Sequence, residues 1–336
     1  MIGLEPYASR EEFSKVSVAF ESDGTDCAGW LYRPDRPRSP PLVVMGPGLA
    51  AERTFGYPAL AEGLAERGVA TFLFDYRRFG DSDGQPRGQV SIAGQLDDWV
   101  AAIGRALALD GVDAGRVALW GHSLGGGHAL RLAAADDRID AVVAHSPVVD
   151  GGAVLRTNGY PWLARAMAAG IRDRLAGLAG RPHRIPIVPP DPEPPREAML
   201  EEGVSVGATT DDPAPPEQAE DVSPFALLAD PDEAEAFEAL VPLRSNWENT
   251  IPARVVLELW RYHPGAVAGD IDVPTLLVTG ADDPIVPASS VARVSRTLSD
   301  GSFLALPTGH FALFEDPWRR RLLGHVGTFL ADALGE

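Results

Sequence analysis

Ser123 lies in Gly121-His122-Ser123-Leu124-Gly125, between the apolar β-type run Arg116-Val117-Ala118-Leu119-Trp120 and the helix-forming Ala129-Leu130-Arg131-Leu132-Ala133. A G-x-S-x-G between strand and helix makes a turn tight enough to strain the serine backbone and expose its hydroxyl, which is how a nucleophile is presented. Glycine at 121 and 125 avoids the collision that a Cβ would cause there. Such a hydroxyl needs a base within reach, and the base needs a third group to fix its tautomer and orientation. Two later stretches carry these types. After Leu276-Leu277-Val278, Asp282 and Asp283 leave the end of a strand; after Phe303-Leu304-Ala305-Leu306, His310 follows in Thr308-Gly309-His310-Phe311. The chemistry this implies is attack on an acyl carbon, whose oxygen becomes negative and needs N–H donors. The N–H of Leu124, next to the serine and at a helix N-terminus, is the first expected donor.

The other six histidines fit less well. His325 falls on the terminal helix, and His183 and His263 lie in an insertion. His122 belongs to the turn itself, with its side chain expected to point away from the Ser123 hydroxyl. His128 is one turn into the next helix, and His145 ends a strand.

The elements that must position these residues follow from periodicity. Residues 13–21 and 27–33 alternate around Asp23-Gly24, which predicts an antiparallel hairpin. From Leu42 onward the runs 42–45, 69–74, 117–120, 139–144, 273–278 and 302–306 are apolar almost throughout, as expected of strands buried on both faces. Helical segments are predicted at about 58–67, 90–109, 124–135, 287–298 and 317–333, the last opened by Asp316 as N-cap and Pro317 in the first turn. Strand alternating with helix predicts a mostly parallel α/β sheet of about eight strands, covered on both sides.

That alternation defines a core at 1–150 and 270–336. It is interrupted at 151–269 by an insertion too long for a loop. The insertion carries helical patterns at Trp162–Ala179, Ala226–Leu240 and Pro252–Tyr262, and a Pro/acid-rich stretch at about 181–220. It reads as a mainly helical cap over the carboxyl ends of the strands, where such sheets bind ligands. Its aromatics Tyr160, Trp162, Trp247, Trp260 and Tyr262 are candidate pocket walls.

The chain has 336 residues, a net charge of −19 and a pI near 4.7. That charge repels nucleic-acid phosphates and anionic membrane surfaces, leaving a small-molecule substrate as the expected partner and a homodimer compatible. One cysteine, Cys27, excludes an intramolecular disulfide or a cysteine metal site. No metal or cofactor is called for: Gly125-Gly126-Gly127 lacks the lysine of a phosphate-binding loop. With neither a basic-plus-apolar leader nor an 18-residue apolar run, a cytoplasmic location is expected.

Over 41–150 and 270–335 the chain resembles the α/β-hydrolase superfamily, in the serine-nucleophile branch with an inserted cap. Its acid pattern G-x-x-D-x-x-V-P matches Gly280-Ala281-Asp282-Asp283-Pro284-Ile285-Val286-Pro287. The resemblance therefore implies Asp283 as the acid, with Asp282 and Asp150 as alternatives, in the order Ser123, Asp283, His310. The family's second oxyanion donor follows His-Gly. Here Pro47-Gly48-Leu49 stands in its place, which carries the role to Leu49 without the usual histidine. Asp75-Tyr76-Arg77-Arg78-Phe79-Gly80-Asp81-Ser82 is similar to the family's D-x-R-G-x-G-x-S loop and implies a structural pin.

The expected function is serine-dependent hydrolysis of an ester or thioester of a small to medium organic acid or natural product, through an acyl-enzyme. Two other readings share the scaffold. One is a biosynthetic tailoring enzyme, an acetate-eliminating lyase or cyclase acting on a polyketide-type ester. The other is a non-catalytic ligand-binding module.

Overall fold

The computed structural model describes residues 13–190 and 225–335. Most of the Pro/acid-rich stretch lies outside the described residues. The chain opens with the hairpin β1 (Phe13–Ser22) and β2 (Thr25–Pro34), joined by Asp23 (φ 48°) and Gly24 (φ 71°). Two successive positive φ values match a type I′ turn, whose twist suits antiparallel strands.

The core then alternates: β3 (Pro41–Gly46), α1 (Tyr57–Ala65), β4 (Ala70–Phe74), α2 (Ile92–Leu107), β5 (Asp113–His122), α3 (Leu124–Ala133) and β6 (Ala141–His145). After the insertion come β9 (Thr275–Gly280), α8 (Ala288–Ser295), β10 (Gly301–Leu306) and α9 (Trp318–Leu334). One eight-stranded sheet results, in the order β1-β2-β4-β3-β5-β6-β9-β10, parallel except where β2 meets β1 and β4. Helices α1 and α9 pack together on the sheet, as do α2 and α3. β3, β4, β6 and β9 are buried nearly throughout, and β5 from Val117 onward, as their apolar runs predict.

The last strand differs from its prediction. β10 reads like the other apolar runs but is largely exposed, because it is the sheet's outer edge and pairs only with β9. A second difference is at α9. Pro317 is the N-cap, and the Asp316 carboxylate pairs with Arg319 and Arg320 instead of capping the helix.

The inserted segment carries α4 (Gly151–Thr157), α5 (Tyr160–Gly177), β7 (Arg184–Pro186), α6 (Pro231–Leu240), β8 (Thr250–Pro252) and α7 (Val255–Trp260). Two of its helices are shorter than their patterns. α6 starts only at Pro231, capped by Asp230; proline suits a first helical position and fits poorly in a helix interior. The residues before it are non-helical, with Leu227 and Leu228 donating to the carbonyls of Pro186 and Ile187. α7 starts at Val255 because Thr250–Pro252 pairs with β7 in a small two-stranded sheet. No helix among the described residues is long and apolar enough to cross a membrane.

Candidate active site

Ser123 sits between β5 and α3 with φ 53° and ψ −116°, a conformation a non-glycine residue adopts only when its surroundings impose it. The surroundings are visible. Ser123 N–H donates to the carbonyl of His145 at 2.8 Å, and its own carbonyl accepts from Val148 at 2.9 Å and Gly127 at 3.2 Å. The turn is thus tied to the end of the neighbouring strand as well as to its own helix. A Cβ at 121 would lie 2.0 Å from the carbonyl oxygen of Gly125, and one at 125 would lie 2.4 Å from that of Pro47. Both positions accept only glycine.

Register brings the remaining residues to the same edge of the sheet. His122 pairs with His145, His145 with Val278, and Gly280 with Leu306, so β5, β6, β9 and β10 end side by side. Asp283 follows β9 and His310 follows β10. His310 Nδ1–H donates to Asp283 Oδ2 at 2.6 Å, with both side chains buried. The other oxygen, Asp283 Oδ1, accepts the N–H groups of Ile285 and Val286 at 2.9 and 2.8 Å, which fixes the carboxylate.

Asp282 is exposed. Asp150 caps α4 through Ala153 N–H at 2.9 Å and lies 3.2 Å from His263 Nδ1. Of the three candidate acids, Asp283 is the one bonded to His310. Burial alone would lower the His310 imidazole. The charge and hydrogen bond of Asp283, with a further contribution from Glu233, outweigh that and leave it above the ordinary histidine value.

Ser123 and His310 line one cavity. Among the described residues, no direct hydrogen bond joins the serine hydroxyl to the imidazole; such contacts commonly tighten only when substrate is bound. The cavity encloses about 880 Å³ of space, part of it open to solvent. Leu124 and Leu49 line it as well. Neither of their N–H groups has a backbone hydrogen bond among the described residues. Next to Leu49, Gly48 N–H donates to the Tyr57 hydroxyl at 2.9 Å, and that hydroxyl meets His122 Nδ1 at 3.0 Å. Where the family's histidine is absent, this tyrosine holds the loop.

The walls come largely from the inserted segment: Leu155, Trp162, Ile187, Leu227, Leu228 and Phe237. Of the five aromatics expected there, only Trp162 lines the cavity. Tyr160 is exposed. Trp260 stacks under Arg156, Tyr262 bonds His128 Nδ1 at 2.7 Å, and Trp247 Nε1 donates to the carbonyl of Ala50 at 3.0 Å. Sequence reasoning missed Phe237 and Glu233, which sit one turn apart on α6. It also missed that the His122 ring stands 5.0 Å from the His310 ring.

The Asp75–Ser82 loop is a pin. Asp75 Oδ1 accepts Arg53 N–H at 2.7 Å and Oδ2 pairs with the Arg53 guanidinium, while Arg77 Nε bonds Asp98 at 2.6 Å. No group of three or more metal-ligating side chains occurs among the described residues.

An eight-stranded sheet of this order, with a serine elbow and a buried His–Asp pair at its carboxyl edge, is the arrangement of an α/β hydrolase. The chain belongs to that superfamily: the family model Hydrolase_4, described as serine aminopeptidase, S33, matches residues 39–316. Among its relatives is the quorum-quenching protein AidA of Acinetobacter baumannii, 32% identical over 300 residues that cover 89% of this chain and 88% of that one. Another is the thiohydrolase aneE of Aspergillus aculeatus, 31% identical over 172 residues, or 51% of this chain and 52% of that one. The crystal structure of the α/β hydrolase GrgF from Penicillium sp. sh18 shares the fold, with a TM-score of 0.72 at 23% identity, over 96% of this chain and 100% of that one.

Proposed function

We propose that the protein is a serine-dependent hydrolase that cleaves an ester or thioester of a small to medium, largely apolar acid through an acyl-enzyme. The observation that carries this reading is the buried 2.6 Å His310–Asp283 bond beside a strained Ser123 in one apolar cavity. Ser123 Oγ attacks the acyl carbon while His310 Nε2 takes its proton. Asp283 holds the imidazole in the Nδ1–H tautomer and stabilises the imidazolium. The N–H groups of Leu124 and Leu49 receive the developing oxyanion. His310 returns the proton to the departing oxygen or sulfur, and water, activated by the same imidazole, releases the acid. The relative named as a thiohydrolase supports the thioester arm of this reading.

The test is Ser123→Ala with a chromogenic short-chain ester and thioester, together with labelling by a fluorophosphonate. The substitution should reduce kcat by at least about 10⁴-fold, and the label should appear on Ser123 alone. Retained turnover, or a wild-type protein that takes no label, would sink the reading. Hydrolysis in labelled water places solvent oxygen in the acid. An alkene or a ring in the product would assign a tailoring reaction of the same serine instead.

A further inference from the structure

Glu233 occupies the third position of α6, three residues after the N-cap Asp230. A glutamate there ordinarily reaches back to the N–H of its own N-cap residue. In this protein it reaches across to the core. Oε1 accepts the N–H of His310 at 2.8 Å, and Oε2 accepts that of Phe311 at 3.1 Å. The carboxylate is buried and makes two charge-assisted bonds to consecutive backbone donors, a geometry that fixes direction as well as distance.

Two neighbours are shaped around it. A Cβ at position 309 would lie 2.1 Å from Glu233 Oε1, so any larger residue there would push the carboxylate off its two donors. Phe237, one turn further along α6, packs edge-on against Phe311 with ring centres 5.2 Å apart. The loop that carries His310 is therefore gripped by a helix from the inserted segment.

Resting on the reading of His310 as the general base, we propose that Glu233 is a positioning residue for it. By clamping the 310 and 311 N–H groups, α6 aims the imidazole at Ser123, so the inserted segment completes the active site as well as walling it. The charged and titratable groups facing the His310 ring are Asp283 after β9, Glu233 on α6, His122 at the end of β5 and His145 at the end of β6. Burial keeps the last two imidazoles neutral. Glu233 therefore contributes the second negative charge beside the imidazolium formed in each turnover.

Glu233→Gln keeps the size, removes the charge and turns an amide N–H toward a backbone N–H. Its kcat on a short ester should fall by at least about tenfold while KM moves less than about threefold, the pattern of a misplaced catalytic group and not of lost binding. The acid limb of its kcat/KM profile should shift to lower pH. The downfield Nδ1–H resonance of His310, followed by NMR without turnover, should titrate at lower pH too. Glu233→Asp, too short to hold both donors, should fall between wild type and Gln. Gly309→Ala should cause the same loss alone, and none beyond that of Glu233→Ala in the double variant.

Wild-type kcat with an unmoved titration in Glu233→Gln overturns the proposal, as does a Gly309→Ala effect that adds fully to that of Glu233→Ala. If Glu233→Gln does not fold, Glu233→Asp and Gly309→Ala decide by the same criteria. Ser123→Ala separates the two readings. Turnover there sinks the serine mechanism, whereas an inactive Ser123→Ala beside a normal Glu233→Gln sinks only the positioning role.

Discussion

The carboxyl edge of the sheet and the segment inserted above it are built on different rules. At the edge, each candidate catalytic side chain follows a parallel strand, and backbone hydrogen bonds between neighbouring strand ends hold its place. In the insertion, helices, irregular stretches and a two-stranded sheet are fixed by individual side chains such as Asp173, which accepts from the backbone N–H of His183 and of Arg254 at 2.8 Å each. The first construction tolerates almost no displacement, because moving one strand end moves its partners. The second can exchange wall residues one at a time. On the proposed function, chemistry and selectivity are housed separately, with Glu233 as the crossing point.

Asp283→Asn strikes the first region hardest. It should leave the fold and the Ser123 position intact but favour the wrong imidazole tautomer, lowering kcat by about 10³–10⁴-fold. Steady-state kinetics beside an unchanged circular dichroism spectrum would check this, and a loss under tenfold would contradict the division.

Leu228→Trp probes the second region. Filling the cavity from the segment before α6 should shift preference toward shorter acyl chains while the fluorophosphonate labelling rate of Ser123 changes by less than about threefold. A chain-length series of esters reads the shift. An unchanged profile would mean that the substrate lies elsewhere.

The smallest effect belongs to His145. Burial lowers this imidazole from 6.5 to about 3, and neither ring nitrogen has a hydrogen-bond partner among the described residues. Between those values the unfolded chain binds a proton that the folded one refuses, so stability is full above about pH 6.5 and declines as pH falls. His145→Phe removes this burden. Its melting temperature should drop less than that of wild type between pH 7 and pH 5, with little change at pH 8.

The core was legible in sequence because each of its signals is local. The elbow spells its own crowding in Gly121 and Gly125, the buried strands are uninterrupted apolar runs, and Asp23-Gly24 spells its turn. Choosing Asp283 over Asp282 took the superfamily's spacing, since the two are adjacent and each could close a turn. β10 misled because an apolar run looks alike in the middle of a sheet and at its rim; only the strand order distinguishes them. Glu233 was invisible for a different reason. Its sequence context, Asp230-Pro231-Asp232-Glu233, is a complete local explanation for a helix start, and its actual partners lie 77 and 78 positions away.

The phenol of Tyr57 touches both Gly48 and His122, one on the loop that carries Leu49 and the other beside the His310 ring. A single buried oxygen thereby yokes two parts of the machinery that could otherwise drift apart over evolutionary time. Reshaping either part disturbs the other through that knot, so the walls are the freer place for change.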